Sequence, residues 1–163
     1  MTTSFAHIAC CIDHSDASML ALDQAVRLQA AGGGRLSLLH VASWPMVIAG
    51  HGPAWVPDPA VIMTGAREWL DEVVAAHPGT EGVLLEGYPP AAACDWAADA
   101  GVDLLVASSS RGLFDRVLLG SFAGYLAHHA PCAVLLTRPE VADEEERETR
   151  VGATEDAERA SVE

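Results

Sequence analysis

Lysine is absent from this 163-residue sequence: all nine basic residues are arginine, set against 23 Asp and Glu, for a formal net charge of −14. Duplex binding draws on neutralisation of phosphates by basic side chains, so nucleic acid is set aside as a partner class. Cysteine is scarce too. Cys10, Cys11, Cys94 and Cys132 show neither CxxC spacing nor a histidine at zinc-finger distance, which sets aside a structural metal and leaves buried thiols. Cys10 and Cys11 are neighbours on an expected strand and point to opposite faces, so they do not pair with each other. No apolar run reaches the roughly 18 residues that cross a bilayer, and the opening MTTSFAHIAC lacks the basic start and long apolar centre of a signal peptide. The expectation is a soluble, cytoplasmic protein with no membrane partner.

Half of the residues are hydrophobic, in periodic stretches separated by Gly, Pro and Asp, as in a folded globular chain. The length suits one domain with one core. Short apolar runs alternate with helical periodicity, which predicts an α/β domain built on a mostly parallel sheet. The strands are expected at HIACCI (7–12), LSLLHV (36–41), GVLLE (82–86), LLVA (104–107) and CAVLLT (132–137). Between them, Met19, Leu22, Ala25 and Val26 recur at helix spacing after the capping turn Asp13 to Asp16, and Ile62, Ala66, Trp69, Leu70 and Val73 do the same. A third helix opens at Pro90 and a fourth runs from Phe122 to Ala130. Gly32, Gly33 and Gly34 read as a helix C-terminus rather than a phosphate loop, because they precede a strand instead of following one.

Two stretches fall outside this alternation. Residues 42–59, rich in Pro and Gly, carry Trp44, Met46, Val47, Ile48, Trp55 and Val56 and are expected to form a loop over the domain. From Glu140 to Glu163 ten acids face three arginines, so half of the net charge lies there. With few large apolar residues, that segment cannot bury enough surface to offset its ordering entropy. The expected division is a domain over 1–139 and an acidic, disordered tail over 140–163.

The candidate site lies in SSSRGLFDRVLLGSFAG, Ser108 to Gly124, between the fourth strand and the last helix. A strand, a small-residue loop and a helix start bring free amides and the positive helix end together on an anion. Gly112 allows an unusual backbone angle, Gly120 a close ligand approach, and Ser121 stands where an N-cap or a phosphate-binding hydroxyl belongs. Alternatively, Gly120 is a turn and Ser121 only caps the helix. Arg111 and Arg116 are the loop's basic side chains; Arg116 either contacts phosphate or is a solvated surface residue. A hydrolase reading through Ser121 fails, since GSFAG places Ser directly after Gly and a nucleophile elbow requires GxSxG. His14, His40 and His51 could approach the site from strand and loop ends, but no general base follows from spacing, so no enzymatic activity is assigned.

CIDHSDAS, the strand ending in HV, EGYPPAA, DLLVASSSRG and LLGSFAGYLAHHAPCAVLLTRP together resemble the universal stress protein family over about residues 5–138. The resemblance implies an open five-stranded parallel sheet of order 3-2-1-4-5 with helices on both faces, Rossmann-like and of the adenine nucleotide alpha hydrolase-like type. It further implies an ATP or AMP ligand, a dimeric stress-response or signalling module, and pairing through the last strand at Ala133, Val134, Leu135 and Leu136; the charge of a triphosphate beside so acidic a body adds Mg²⁺ as its counter-ion. Asp13 and Val41 match the strand ends that hold adenosine; Ser109, Gly112, Gly120 and Ser121 match the phosphate motif, with Ser108 and Phe122 on its flanks. Asp13 equally reads as a cap on its own turn. The family's nucleotide-binding members carry GxxGx9G before Ser or Thr. Here Ser109 stands at the first Gly, and seven residues, LFDRVLL, separate Gly112 from Gly120. Two functions follow: a nucleotide-responsive stress protein, or an interaction protein of the same fold that has lost the nucleotide.

Overall fold

The computed structural model describes residues 5–43, 58–109 and 120–138. Five parallel strands, β1 (His7–Cys11), β2 (Arg35–Ala42), β3 (Thr80–Glu86), β4 (Leu104–Ser108) and β5 (Ala133–Thr137), form one sheet of order β3-β2-β1-β4-β5, as expected from the sequence. Helices α1 (Asp16–Gly32), α2 (Pro59–Ala76), α3 (Pro89–Ala100) and α4 (Ser121–His129) connect them. The period-2 alternation of the strands decides which helix covers which face. Ile8, Cys10, Leu36, Leu38, Leu104 and Val106 pack with Leu22 and Ala25 of α1 and Leu70 of α2. Ala9, Cys11, Leu39, Leu105 and Ala107 pack with Ala93 and Ala97 of α3 and Leu126 of α4 on the other side. Cys10 and Cys11 thus lie in different cores. Among the described residues all four cysteines are free thiols.

Element boundaries shift by local chemistry. Helix α2 begins within the stretch expected to be loop, because Asp58 caps it: the Asp58 carboxylate accepts from the Ala60 amide at 2.9 Å, and Pro59 supplies the fixed φ of a first helical residue. Strand β3 starts earlier, at Thr80, where its ladder with Leu36 begins. Helix α1 ends as the glycines indicate. Gly33 and Gly34 have φ of 74° and 92°, and a Cβ on Gly34 would run into the Phe5 carbonyl and come within 2.9 Å of Ala6 O. The chain therefore turns tightly against the entry to β1.

At the N-terminal ends of the strands, a polar ring closes the sheet. Arg35 Nη2 lies 2.7 Å from His7 Nδ1, His7 Nε2 lies 2.7 Å from Ser37 Oγ, and Ser37 Oγ donates to Glu81 Oε1 at 2.6 Å. Asp103 completes this end, accepting from the amides of Ala6 and His7 at 2.8 and 2.9 Å. The opposite, C-terminal ends of the strands are left to form a cleft. Among the described residues, no helix is long and apolar enough to cross a membrane.

Candidate functional site

β1 and β4 are adjacent in the sheet although five elements of chain order, α1, β2, α2, β3 and α3, separate them, so the strand order reverses between their C-terminal ends and leaves a crevice, the position at which open α/β sheets bind ligands. The crevice is a cleft of about 730 Å³, within the usual range of small-molecule sites. Its floor is Cys11 to His14 after β1 and Leu39 to Ser43 at the end of β2. One wall is α2, through Val61, Ile62, Gly65 and Ala66; the other is the end of β4 with the start of α4, from Ala107 to Ser109 and Gly120 to Ala123.

Of the sequence-derived site residues, Asp13, Val41, Ser108, Ser109, Gly120, Ser121 and Phe122 all line this one cleft. Gly112 and Arg116, like Arg111 and the apolar loop residues Trp44 to Val56, lie outside the described residues, as does the acidic segment 140–163. Ser121 is not the helix cap: Gly120 is the N-cap, with no side-chain hydrogen bond, and Ser121 is the first helical residue. The consequence is chemical. The first intrahelical bond runs from the Gly124 amide to the Gly120 carbonyl at 2.8 Å, so the amides of Ser121, Phe122 and Ala123 find no acceptor among the described residues. They sit at the positive end of the helix dipole and border the cleft, which makes that end suited to an anion. The Gly120 amide itself is taken up by Ser109 O at 3.2 Å, and Ser109 N by Thr137 O at 2.8 Å.

Asp13 does cap its own turn. Its Oδ1 accepts from the Ser15 amide at 2.9 Å and from the Ser15 hydroxyl at 2.5 Å, and that hydroxyl accepts in turn from the Ser18 amide at 3.2 Å. Buried Ser18 braces the same turn, accepting from the Asp13 amide at 3.1 Å and donating to the Asp13 carbonyl at 2.7 Å. This holds the end of β1 rigid against the start of α1. Asp13 is the one carboxylate among the described lining residues, and no group of three metal-ligating side chains exists among the described residues. Cys11 also lines the cleft, but burial, with Cys94 and Cys132 nearby, pushes its thiol up to about 12, so it stays protonated.

Sequence reasoning left an aromatic corner unassigned. The His14 ring stacks on Trp69 of α2 at 4.1 Å and 25°, and the His40 ring meets Trp69 at 4.8 Å and 65° and His14 at 5.6 Å and 82°. Trp69, read from helical spacing as a core-facing residue, packs against the core while remaining partly exposed; its second role, fixing two histidines beside the cleft, depends on how α2 crosses β2, and no local pattern encodes that. The visible signal was His40 directly before Val41 at a strand end.

With this geometry in place, likeness to known proteins can be weighed. The model of the "Universal stress protein family" matches residues 4–138. Among solved structures, a universal stress protein UspA from Lactobacillus plantarum shares 24% identity at a TM-score of 0.63, covering 84% of this chain and 100% of its own. A universal stress protein in complex with cAMP shares 24% identity at a TM-score of 0.56, covering 83% and 98%. A family protein from Arabidopsis thaliana with AMP bound shares 16% identity at a TM-score of 0.52, covering 85% and 94%. No curated protein matches the chain.

Proposed function

The chain belongs to the universal stress protein family, and from that premise we propose that it binds an adenine nucleotide, ATP or AMP, in the cleft between β1 and β4 and acts as a cytoplasmic, dimeric stress-response module. The observation that carries this reading is the pairing, in one cleft, of three helix-start amides that find no acceptor among the described residues with an apolar wall of Val61, Ile62 and Ala66. The amides of Ser121, Phe122 and Ala123 would hold a phosphate, aided by the Ser108, Ser109 and Ser121 side chains. Across β1, Val41 and Asp13 would take the nucleoside against Val61 and Ile62. Related structures carry cAMP and AMP, which supports a single-phosphate adenine ligand of this kind. The described residues fit a nucleotide better than a protein-held metal: with one carboxylate among the described lining residues, already engaged by Ser15, Mg²⁺ would enter on the phosphates of ATP and supply charge neutralisation there.

In this reading Gly112 and Arg116 complete the phosphate loop, and partners respond to the bound nucleotide. β5 is an edge strand whose Val134, Leu135 and Leu136 are only partly covered, which supports pairing with a second copy. A monomer mass in light scattering at micromolar concentration would reject the dimer. The shortened segment between Gly112 and Gly120, with Ser109 in place of Gly, favours the second reading, an interaction protein without nucleotide. Heat release of purified protein followed by ultraviolet absorbance and mass spectrometry separates the two: adenine nucleotide in the supernatant, and saturable AMP binding by calorimetry, are expected. Neither at millimolar AMP would leave the fold without this ligand.

A further inference from the structure

We propose that His40 presents its Nε2 to the cleft as a fixed hydrogen-bond acceptor that selects nucleotides by a donor on their nucleoside half. The inference rests on the adenine-nucleotide reading of the cleft and assigns it a specificity-determining residue.

The tautomer follows from the hydrogen-bond network. His40 Nδ1 lies 3.0 Å from the carbonyl oxygen of Ile12. A carbonyl only accepts, so Nδ1 carries the proton, and in the neutral ring the lone pair is on Nε2. Turning the ring over would exchange Nδ1 for a carbon and break the Ile12 bond. Its surroundings place the lone pair as well. His40 is 9% exposed and lines the cleft. Among the described residues no atom bonds Nε2, yet no fully buried side-chain nitrogen or oxygen there lacks a partner. Nε2 therefore belongs to the small accessible part of the ring, on the side of the cleft. A polar atom in so closed a position, left without a protein partner, is costly unless water or a ligand supplies a donor.

The place of His40 in the sheet says which part of a nucleotide it meets. It sits at the end of β2, with β1 between it and β4, whereas the free amides of α4 stand beyond β4. A phosphate on those amides directs the nucleoside toward His40. The donors available there are the 6-amino group of adenine and the ribose hydroxyls. A 6-oxo purine turns the first of these into an acceptor and sets two lone pairs against each other, which costs more than a merely absent contact.

Calorimetric titration of the full chain with AMP, IMP and 2′-deoxy-AMP tests this, on wild type and on His40→Phe, with thermal unfolding of each protein alongside. Wild type is expected to prefer AMP over one analogue by about tenfold, the worth of one such hydrogen bond. IMP as the weak ligand assigns the base amino group as donor, and 2′-deoxy-AMP assigns the ribose. In His40→Phe that ratio should fall to near one. A variant that weakens all three ligands equally, or keeps the wild-type ratios, overturns the inference while leaving the nucleotide reading intact. Wild type that binds none of the three overturns both, before any variant is needed. Should His40→Phe fail to fold, nitrogen NMR of the wild-type imidazole decides. The Nε2 resonance should start at an unprotonated shift and move on AMP addition; a still Nε2 while AMP saturates the protein overturns the inference.

Discussion

The amide of Gly120 donates to the carbonyl of Ser109 across 3.2 Å, so the end of β4 and the start of α4 are tied together at one point. This contact anchors the N-terminus of α4 while sparing the three amides that follow. Helix α4 thus begins without a side-chain cap, and its first three amides face the cleft with no acceptor among the described residues.

Replacing Ser121 by Asp should therefore act in opposite directions on stability and binding. A carboxylate in the first turn suits the helix dipole and is expected to stabilise the free protein by about 0.5 kcal/mol. The same charge would repel a phosphate, weakening AMP by about tenfold or more. Chemical denaturation and calorimetry on one preparation read both effects. A variant that binds AMP as wild type does would place the phosphate elsewhere.

Gly34 and Gly33 form a second test, of the fold rather than the site. Both have positive φ, but only a Cβ on Gly34 meets backbone, at the carbonyls of Phe5 and Ala6. Gly33→Ala should cost about 1 kcal/mol and Gly34→Ala about 2 kcal/mol or more. Urea midpoints that rank the two equally would argue against this tight entry to β1.

These glycines also show what could be read from the sequence. Their position before an apolar run marks a helix end without reference to anything distant. The strand order, by contrast, was carried by the family resemblance of residues such as CIDHSDAS and LLGSFAG, since local periodicity predicts strands but not neighbours. The placement of seven proposed site residues around one cleft followed from that order. The start of α2 was missed because Asp58 and Pro59 look like the end of a Pro-rich loop, and only the Asp58 to Ala60 bond shows them as a cap and first turn. Of the two readings of Ser121, a cap or a phosphate-binding hydroxyl, the cap falls to Gly120, whose carbonyl receives the first helical bond. His40 and Trp69 lie on different elements, and their contact is a product of packing alone.

His7 gives the protein an acid-sensitive clasp. A guanidinium can only donate, so Arg35 donates to His7 Nδ1, His7 Nε2–H donates to Ser37, and Ser37 donates to Glu81. Protonation at Nδ1 would set a new N–H against Arg35, offset only in part by the Ala100 carbonyl 3.3 Å from that nitrogen. Burial, and then the Arg35 charge, hold the folded pKa of His7 below 6.5, so the unfolded chain binds the proton more readily. The stability from this group is complete above about pH 6.5 and is lost as pH falls through the folded value. Urea midpoints measured from pH 7.5 downward should decline below 6.5, and His7→Gln should remove part of that decline. Equal slopes in the two proteins would show that His7 titrates no differently on folding.

Cys10 and Cys11 should resist alkylation in the folded state at pH 8. Both are buried, Cys10 raised well above its usual value and Cys11 to about 12, so almost no thiolate forms on either. Peptide mapping after iodoacetamide should find both unmodified until the protein is unfolded. Labelling of Cys11 at the rate of a free thiol would mean that the cleft floor opens.

The central claim, that a phosphate rests on the start of α4 while the nucleoside lies by β2, is tested most directly by comparing AMP with adenosine in amide NMR titrations of the labelled full chain. Both ligands are expected to move Val41 and Ala42, and AMP alone to move Ser121, Phe122 and Ala123. Saturation with AMP that leaves those three amides unshifted would contradict it.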